Sequence, residues 1–308
     1  MLAILGVLVV FAAVLGGFLL ERGNLFVLLQ PAEILIIGGA AAGIILIANP
    51  WIVIRKMGRS ALMAFRPPLR GRNSFQEHLR MLYEVFVFSQ RSGGVSQLEN
   101  DVDHPFDSAI FSNHPAFLRD RTTRDFVCDS LRMLVIGNTT APEVDQLMDL
   151  DIEAQRTAHL EPVRALHAVA DALPGLGIVA AVLGVVITMG AIGGNPDAIG
   201  PKVAAALVGT FLGILMCYGV VGPMAARMEK NEEVQIQFLQ VLRTAITSFA
   251  RGAAPLLAVE YARRSIPAEL RPSFEELETG MRREAKIPPV ASANPSVRPE
   301  AAVAEAKS

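Results

Sequence analysis

Cysteine is nearly missing from this chain: its 308 residues hold two, Cys128 and Cys217. One lies in a polar stretch and the other inside an apolar run, so no disulfide framework is expected. Histidine is scarce too, and residues 78, 104, 114, 159 and 167 show none of the spacings that zinc and related metals require, so no metal is expected. Charged residues make up only 19%, with a net charge of -2. That balance lacks the basic excess of a nucleic-acid binder. There is no Walker loop, HExxH, GxSxG or dinucleotide fingerprint, so neither a soluble-type enzyme nor an organic cofactor is expected. What the chain has is apolar length: 52% of it is hydrophobic and the mean hydropathy is +0.40. An integral membrane protein is expected.

Two apolar runs dominate, ALPGLGIVAAVLGVVITMGAIGGNP (172 to 196) and VAAALVGTFLGILMCYGVVGPMAA (203 to 226), joined by residues 197 to 202. Each is long enough to cross ~30 Å of hydrocarbon, and neither carries a charge, so they read as a transmembrane hairpin. Pro174 stands near the start of the first run and Pro223 near the end of the second. Each removes a backbone hydrogen bond, so both helices are expected to bend near one membrane face. Two more runs, Met1 to Leu20 and residues 34 to 54, bring the spans to four. The first lacks the basic start and short apolar core of a cleaved signal, and is read as a retained helix.

Basic residues crowd after the second span at Arg55, Lys56, Arg59, Arg66, Arg70, Arg72 and Arg80, and return at Arg227 and Lys230 after the fourth. The short loops on the other side carry almost none. The positive-inside rule therefore puts both termini and the loop 55 to 171 in the cytoplasm. Small residues recur four apart, Gly39 with Gly43 and Gly209 with Gly213, a spacing suited to close packing within the bundle or against other copies. In the loop, Phe75, Leu79, Leu82 and Phe86 form a helical stripe that should stop at Gly93-Gly94, and Ser96 to Glu99 has the form of a capping box. Further helices are expected over 117 to 136, over 141 to 169 running on into the third span, and along the stripe of Val234, Phe238, Val241, Leu242, Ala245 and Phe249.

The expected fold class is thus an all-α integral membrane protein: four transmembrane helices with a large helical cytoplasmic loop between the second and third. The organisation reads as spans one and two in 1–54, a cytoplasmic domain in 55–171 and the hairpin in 172–226. A cytoplasmic helical region follows in 227–286, and then a disordered, Pro- and Ala-rich tail in 287–308. Between their bounding charges the four spans contain no Asp, Glu, Lys, Arg or His, whereas membrane pumps usually hold an ionisable residue there. If an ion is carried, its carboxylate must come from another polypeptide. The sequence points to half of a channel.

Up to about residue 283 the chain resembles the A subunit of the bacterial flagellar motor stator, the MotA/PomA family. The resemblance is carried by ADALPGLGIVAAVLGVV (170 to 186), ALVGTFLGILMCYGVVGPMA (206 to 225), RPSFEELE (271 to 278) and SQRSGGVSQLE (89 to 99). It implies a multi-pass protein of the bacterial inner membrane, a pentamer around a dimer of a MotB-type B subunit whose aspartate carries the ion. It further implies torque delivered to the rotor protein FliG. Pro174 and Pro223 match the family's two channel prolines, and Thr210 matches its channel-facing threonine. Ala181 stands where sodium-driven relatives have a threonine, which implies H+ as the transported ion. Arg91 and Glu99 match the charged pair that docks on the rotor. Asp151 aligns with a family glutamate, and no role is carried to it. By the residues alone, the prolines are helix kinks, Thr210 bonds back to its own helix, Arg91 solvates a helix end and Glu99 serves the capping box. The ExbB/TolQ-type energisers of outer-membrane processes resemble the last two spans as well. They have three spans rather than four.

Overall fold

The computed structural model describes residues 2–65, 70–137, 139–190 and 199–284; Arg66, the end of the first hairpin run with the first two residues of the connection (191–198) and the tail assigned to 287–308 lie outside them. Among the described residues every regular element is helical. Four helical stretches, 2–20, 25–48, 141–189 and 200–250, are long and apolar enough to cross a membrane. The chain divides into two compact units, residues 1–71 with 149–240 and residues 72–148 with 241–308.

The first unit opens with α1 (Leu2–Leu20), which buries no residue within the chain, as suits a helix solvated by lipid. A four-residue helix, α2 (Leu25–Leu28), starts where the Asn24 side chain accepts a 3.0 Å hydrogen bond from the Phe26 amide. Then comes α3 (Pro31–Ala48), with Pro31 in the first turn, where a missing N–H costs nothing. The second span was expected to reach residue 54, yet α3 closes at Ala48. Pro50 forces its predecessor Asn49 into extended backbone (φ -131°, ψ 140°), and the Asn49 amide group turns back to donate to the Ile45 carbonyl at 3.2 Å. Residues 51 to 54 instead begin α4 (Trp51–Ala64), which exposes Trp51, Arg55, Lys56 and Arg59 and buries Val53, Met57 and Ala64. That is an interfacial amphipathic helix.

The chain returns through α9 (Ala141–Met189), a 49-residue helix of ~73 Å at ~1.5 Å per residue. It is unbroken from the stripe of 141 to 169 into the third span, as expected. It also contains Pro162, which the hydrophobic stripe had not singled out. The fourth span is α10 (Ile199–Met216), and after one wide turn α11 (Gly222–Ala250) leads away from it. Residues Val163 and Leu166 of α9 and Met228 of α11 bury α4's apolar face. Beside them, His159 Nδ1 lies 2.8 Å from Glu232 Oε2 and His167 Nε2 lies 3.6 Å from Glu229 Oε2. The composition changes at 171/172 and 226/227, whereas the compact units change at 148/149 and 240/241. These pairings continue the packing of α9 and α11 beyond their apolar segments.

The second unit is built on α5 (Arg72–Arg91). Its stripe of Phe75, Leu79, Leu82 and Phe86 is fully buried, and the Phe86 ring stacks on Phe249 with centroids 4.2 Å apart. The helix stops before Gly93 (φ 94°) and Gly94 (φ 135°), conformations that favour glycine. After a 3-10 turn at Val95–Leu98 come α6 (Glu99–Asp103), α7 (Pro115–Arg119) and α8 (Arg121–Val135). The helix expected over 117 to 136 is therefore two. Asp120 separates them, capping α8 by accepting from the Thr123 hydroxyl at 2.5 Å and the Thr123 amide at 3.4 Å. The capping box expected at Ser96–Glu99 does not form: Ser96 lies inside the 3-10 turn, and the residue ahead of α6 is Leu98, buried and without a capping side chain. The device appears later instead. Ahead of α13 (Phe274–Glu284), which follows α12 (Pro255–Ser265), the Ser273 amide donates to Glu276 Oε2 at 2.8 Å. The Ser273 hydroxyl oxygen accepts in return from the Glu276 amide at 3.2 Å.

Candidate functional site

The third and fourth spans meet backbone to backbone. A methyl group placed on Gly177 of α9 would stand 2.8 Å from the Gly209 carbonyl oxygen and 3.2 Å from the Cα atoms of Thr210 and Gly213. One on Gly213 would stand 2.6 Å from the Leu173 carbonyl oxygen, and one on Gly184 would stand 2.6 Å from Ala206 Cβ. Hydrocarbon supplies little hydrophobic drive between helices, so such small-residue contact is what holds the crossing. Gly39 and Gly43 behave differently: nothing lies within 4 Å of a methyl on either. Their spacing serves no contact among the described residues.

Three of the residues singled out by sequence lie in this crossing or next in the chain to residues that form it. Pro174 follows Leu173, whose carbonyl faces Gly213, and is half-buried in α9. Lacking an N–H, it leaves the Ala170 carbonyl without its helical donor. Ala181 follows Ala180, which is fully buried and whose Cβ lies 3.1 Å from the position of a Gly209 methyl. Thr210 is the next residue after Gly209 and is half-buried. Of the span threonines, Thr188 is back-bonded, its hydroxyl donating to the Gly184 carbonyl at 2.8 Å.

Pro223 lies farther along, and the backbone deals with it in a way the sequence did not reveal. Residues Cys217–Val221 form a π-turn, and the amide of Gly222 reaches back to the Cys217 carbonyl. The wider turn accommodates the hydrogen bond that Pro223 cannot make. Pro223 itself is exposed and lines a cavity of about 340 Å³ together with Val10, Tyr218, Gly219, Met224 and Arg227.

One residue of the site was missed. Glu33 was read as a charge bounding the second span, but it lies inside α3 and is only 6% exposed. Its carboxylate rests on the α10 crossing: a methyl on Gly209 would stand 2.6 Å from Oε2 and 3.2 Å from the carboxyl carbon. Oε2 has no hydrogen-bond partner. The signal was available in Pro31, a first-turn residue that draws Glu33 into the helix, and in the apolar residues 25 to 29 ahead of it.

The remaining two positions sit in the second unit. Arg91 is the last residue of α5 and Glu99 the first of α6, on either side of the turn from 92 to 98, and both are exposed. Neither enters a salt bridge among the described residues. Asp151 is exposed on α9 and accepts from the Gln155 side chain at 3.1 Å. Within α8, burial pushes the Cys128 thiol up to about 12, so this cysteine is an inert packing residue.

Comparison with known proteins gives two family matches: the Motility protein A N-terminal family over residues 4–93, and the MotA/TolQ/ExbB proton channel family over residues 119–241. The chain is 36% identical over 282 residues to Motility protein A of Salmonella typhimurium, covering 92% of this chain and 95% of that one. Among solved structures it is similar to the flagellar MotAB stator complex of Bacillus subtilis. There the TM-score is 0.70 at 24% identity, covering 87% of this chain and 96% of the other. It is similar also to MotAB of C. jejuni, with a TM-score of 0.73 at 19% identity, covering 88% and 98%.

Proposed function

The chain belongs to the Motility protein A family, and from that premise we propose how it works as the A subunit of a flagellar motor stator. Together with a B subunit it forms a proton channel that turns ion-motive force into torque, and it is not an enzyme. The observation that supports our reading is the glycine crossing of α9 and α10, which includes Thr210 and adjoins Pro174 and Ala181, and along which neither helix carries a charged side chain of its own. Such a wall can surround a carboxylate supplied by the B subunit's helix. Neutralising that carboxylate relaxes the wall. Pro174 supplies a soft point in α9, and the π-turn before Pro223 supplies one in the fourth span.

We assign the transported ion as H+, because Ala181 offers no side-chain oxygen to a sodium ion. The assembly is a pentamer around a B dimer in the bacterial inner membrane, with both termini cytoplasmic. Arg91 and Glu99, exposed and without a salt bridge, are free to meet charges on FliG. One proton crossing 100 mV supplies ~2.3 kcal/mol, enough for small rotational steps, while exposed ion pairs worth ~0 to 1 kcal/mol release as easily as they form. The test is swimming of cells lacking this chain and complemented with it or with Pro174→Ala, with membrane insertion followed in parallel. Restored, sodium-independent swimming with the native chain and inserted but paralysed cells with the variant are expected. A deletion that leaves motility intact and impairs outer-membrane uptake would favour an ExbB/TolQ-type energiser.

A further inference from the structure

Glu33 of α3 places a carboxyl group inside a membrane span of this chain, against α10, the helix that carries Thr210. It is more than nine-tenths buried, and its Oε2 has no hydrogen-bond partner. An ionised carboxylate left unpaired in such surroundings is costly, so the group must be compensated by a proton or a cation. Among the described residues no cation is placed to serve. The packed elements α2 and α3 contribute no Lys, Arg or His. In α10 the only charge is Lys202, exposed and seven residues before Gly209, ~10 Å along the axis. The span portion of α9 brings none, Asp171 being exposed near its cytoplasmic end, and Arg22 is exposed in the turn before α2. The floor of the site is Gly209, whose missing side chain leaves Oε2 the room it occupies.

We propose that Glu33 is a second proton-handling residue of the ion pathway, supplied by this chain itself. The inference rests on the stator reading above. Glu33 takes a proton from water on the outer side, the carboxylate becoming a neutral acid as hydronium becomes water. It then releases that proton through water toward the B subunit's carboxylate, which is neutralised as Glu33 is restored to its anion. Nothing is consumed and one proton moves inward. Gly209 is a positioning residue, holding the carboxyl group at the turn that bears Thr210.

The test uses the full complex of both subunits in vesicles, reading proton uptake driven by an imposed potential over a range of external pH. Glu33→Gln keeps the shape of the side chain and removes its titration. It is expected to assemble normally, to conduct ~10-fold more slowly and to lose the pH dependence of uptake on the acidic side. Glu33→Asp should recover part of the rate with a displaced pH profile. In infrared difference spectra, Glu33→Gln should remove one protonated-carboxyl band that the native complex shows. Glu33→Gln conducting at the native rate with an unchanged pH profile and an unchanged carboxyl band would overturn the proposal. So would equal losses of assembly in Glu33→Gln and Glu33→Asp, the mark of a packing residue. A native complex that conducts no protons would overturn the stator reading as well, and that outcome is separate because it appears before any substitution.

Discussion

Replacing Gly213 by alanine adds one methyl group at the tightest backbone contact of the α9/α10 crossing. That methyl would lie 2.6 Å from the Leu173 carbonyl oxygen and 2.9 Å from the Gly177 Cα, where ordinary contact begins at 3.4 Å. The shortfalls are 3.4 - 2.6 = 0.8 Å and 3.4 - 2.9 = 0.5 Å. Both obstacles are backbone, so no side chain can swing away and the helices themselves must part. Overpacking of this kind costs about 1–3 kcal/mol, while alanine in a helix interior regains ~1 kcal/mol over glycine. A net loss of ~0 to 2 kcal/mol is expected. Gly58 of α4, exposed and with nothing within 4 Å of an added methyl, gives the propensity gain alone. Thermal unfolding of the assembled complex should therefore show Gly213→Ala melting lower than native and Gly58→Ala no lower. The functional effect should exceed the loss of stability, because the displaced atom is the carbonyl before Pro174. A misplacement approaching 1 Å costs ~100-fold where geometry governs a step, so proton flux should fall more than complex abundance. Equal behaviour of Gly213→Ala and Gly58→Ala in both assays would refute the reasoning.

Asp120→Ala removes both hydrogen bonds that start α8 and should destabilise the second unit by about 1 kcal/mol, read as a lower denaturant midpoint. The side-chain hydrogen bond from Arg263, helped by Arg264, brings the Glu260 carboxyl down to about 2 from an ordinary 4.5. Its folded value is the depressed one, so its stabilisation is fully present above pH 4.5 and is lost as pH falls toward about 2. Glu260→Gln should flatten that acid limb, by about 1–2 kcal/mol after screening by the water that reaches the site, in thermal melts across this range. Arg91→Glu and Glu99→Lys should each impair swimming without reducing membrane abundance, and a matching charge reversal on the rotor should restore it. Failure of every swap removes the docking assignment.

The four spans and the long helices were legible because their signals are additive: an apolar run or a 3.6-residue stripe accumulates over many residues. Hence α9 could be foreseen as one helix from the cytoplasmic stripe into the third span. Punctuation was less legible. Ser96–Glu99 and Ser273–Glu276 share the same S-x-x-E form, yet only the second is a capping box. In the first, the burial of Leu98 and the turn at Gly93-Gly94 fix the backbone, and local hydrogen bonding gives way to packing. Pro50 was readable as a helix stop and was passed over because hydropathy carries on to Ile54. The π-turn before Pro223 has no sequence signal beyond the proline. Of the site, Pro174, Ala181 and Thr210 were found as separate positions. Their common place beside the crossing depends on which glycines face one another, and spacing alone could not separate Gly209 and Gly213, which are packed, from Gly39 and Gly43, which have no neighbour among the described residues.

Gly209 touches two elements at once. A methyl there would meet Ala180 of α9 at 3.1 Å and Glu33 of α3 at 2.6 Å, so a single position on α10 registers both the crossing and the buried carboxyl. The contacts differ in kind. The first needs a shift of a few tenths of an ångström, and the second needs the carboxyl end of the Glu33 side chain to swing aside, so the penalty of Gly209→Ala includes the displacement of Glu33 from its buried place. In a Glu33→Ala background that obstacle is gone and the same substitution should cost less. The two changes should therefore be non-additive by roughly 0.5–3 kcal/mol, the range for residues in direct contact. Unfolding of the assembled complex in a double-mutant cycle measures it. Additivity within ~0.5 kcal/mol would mean that the carboxyl moves aside without consequence and that α3 is not registered on the channel wall. Coupling would mean that any motion of α10 against α9 is also a motion against Glu33, so the residue that handles the proton and the helix that moves would respond to each other through one missing side chain.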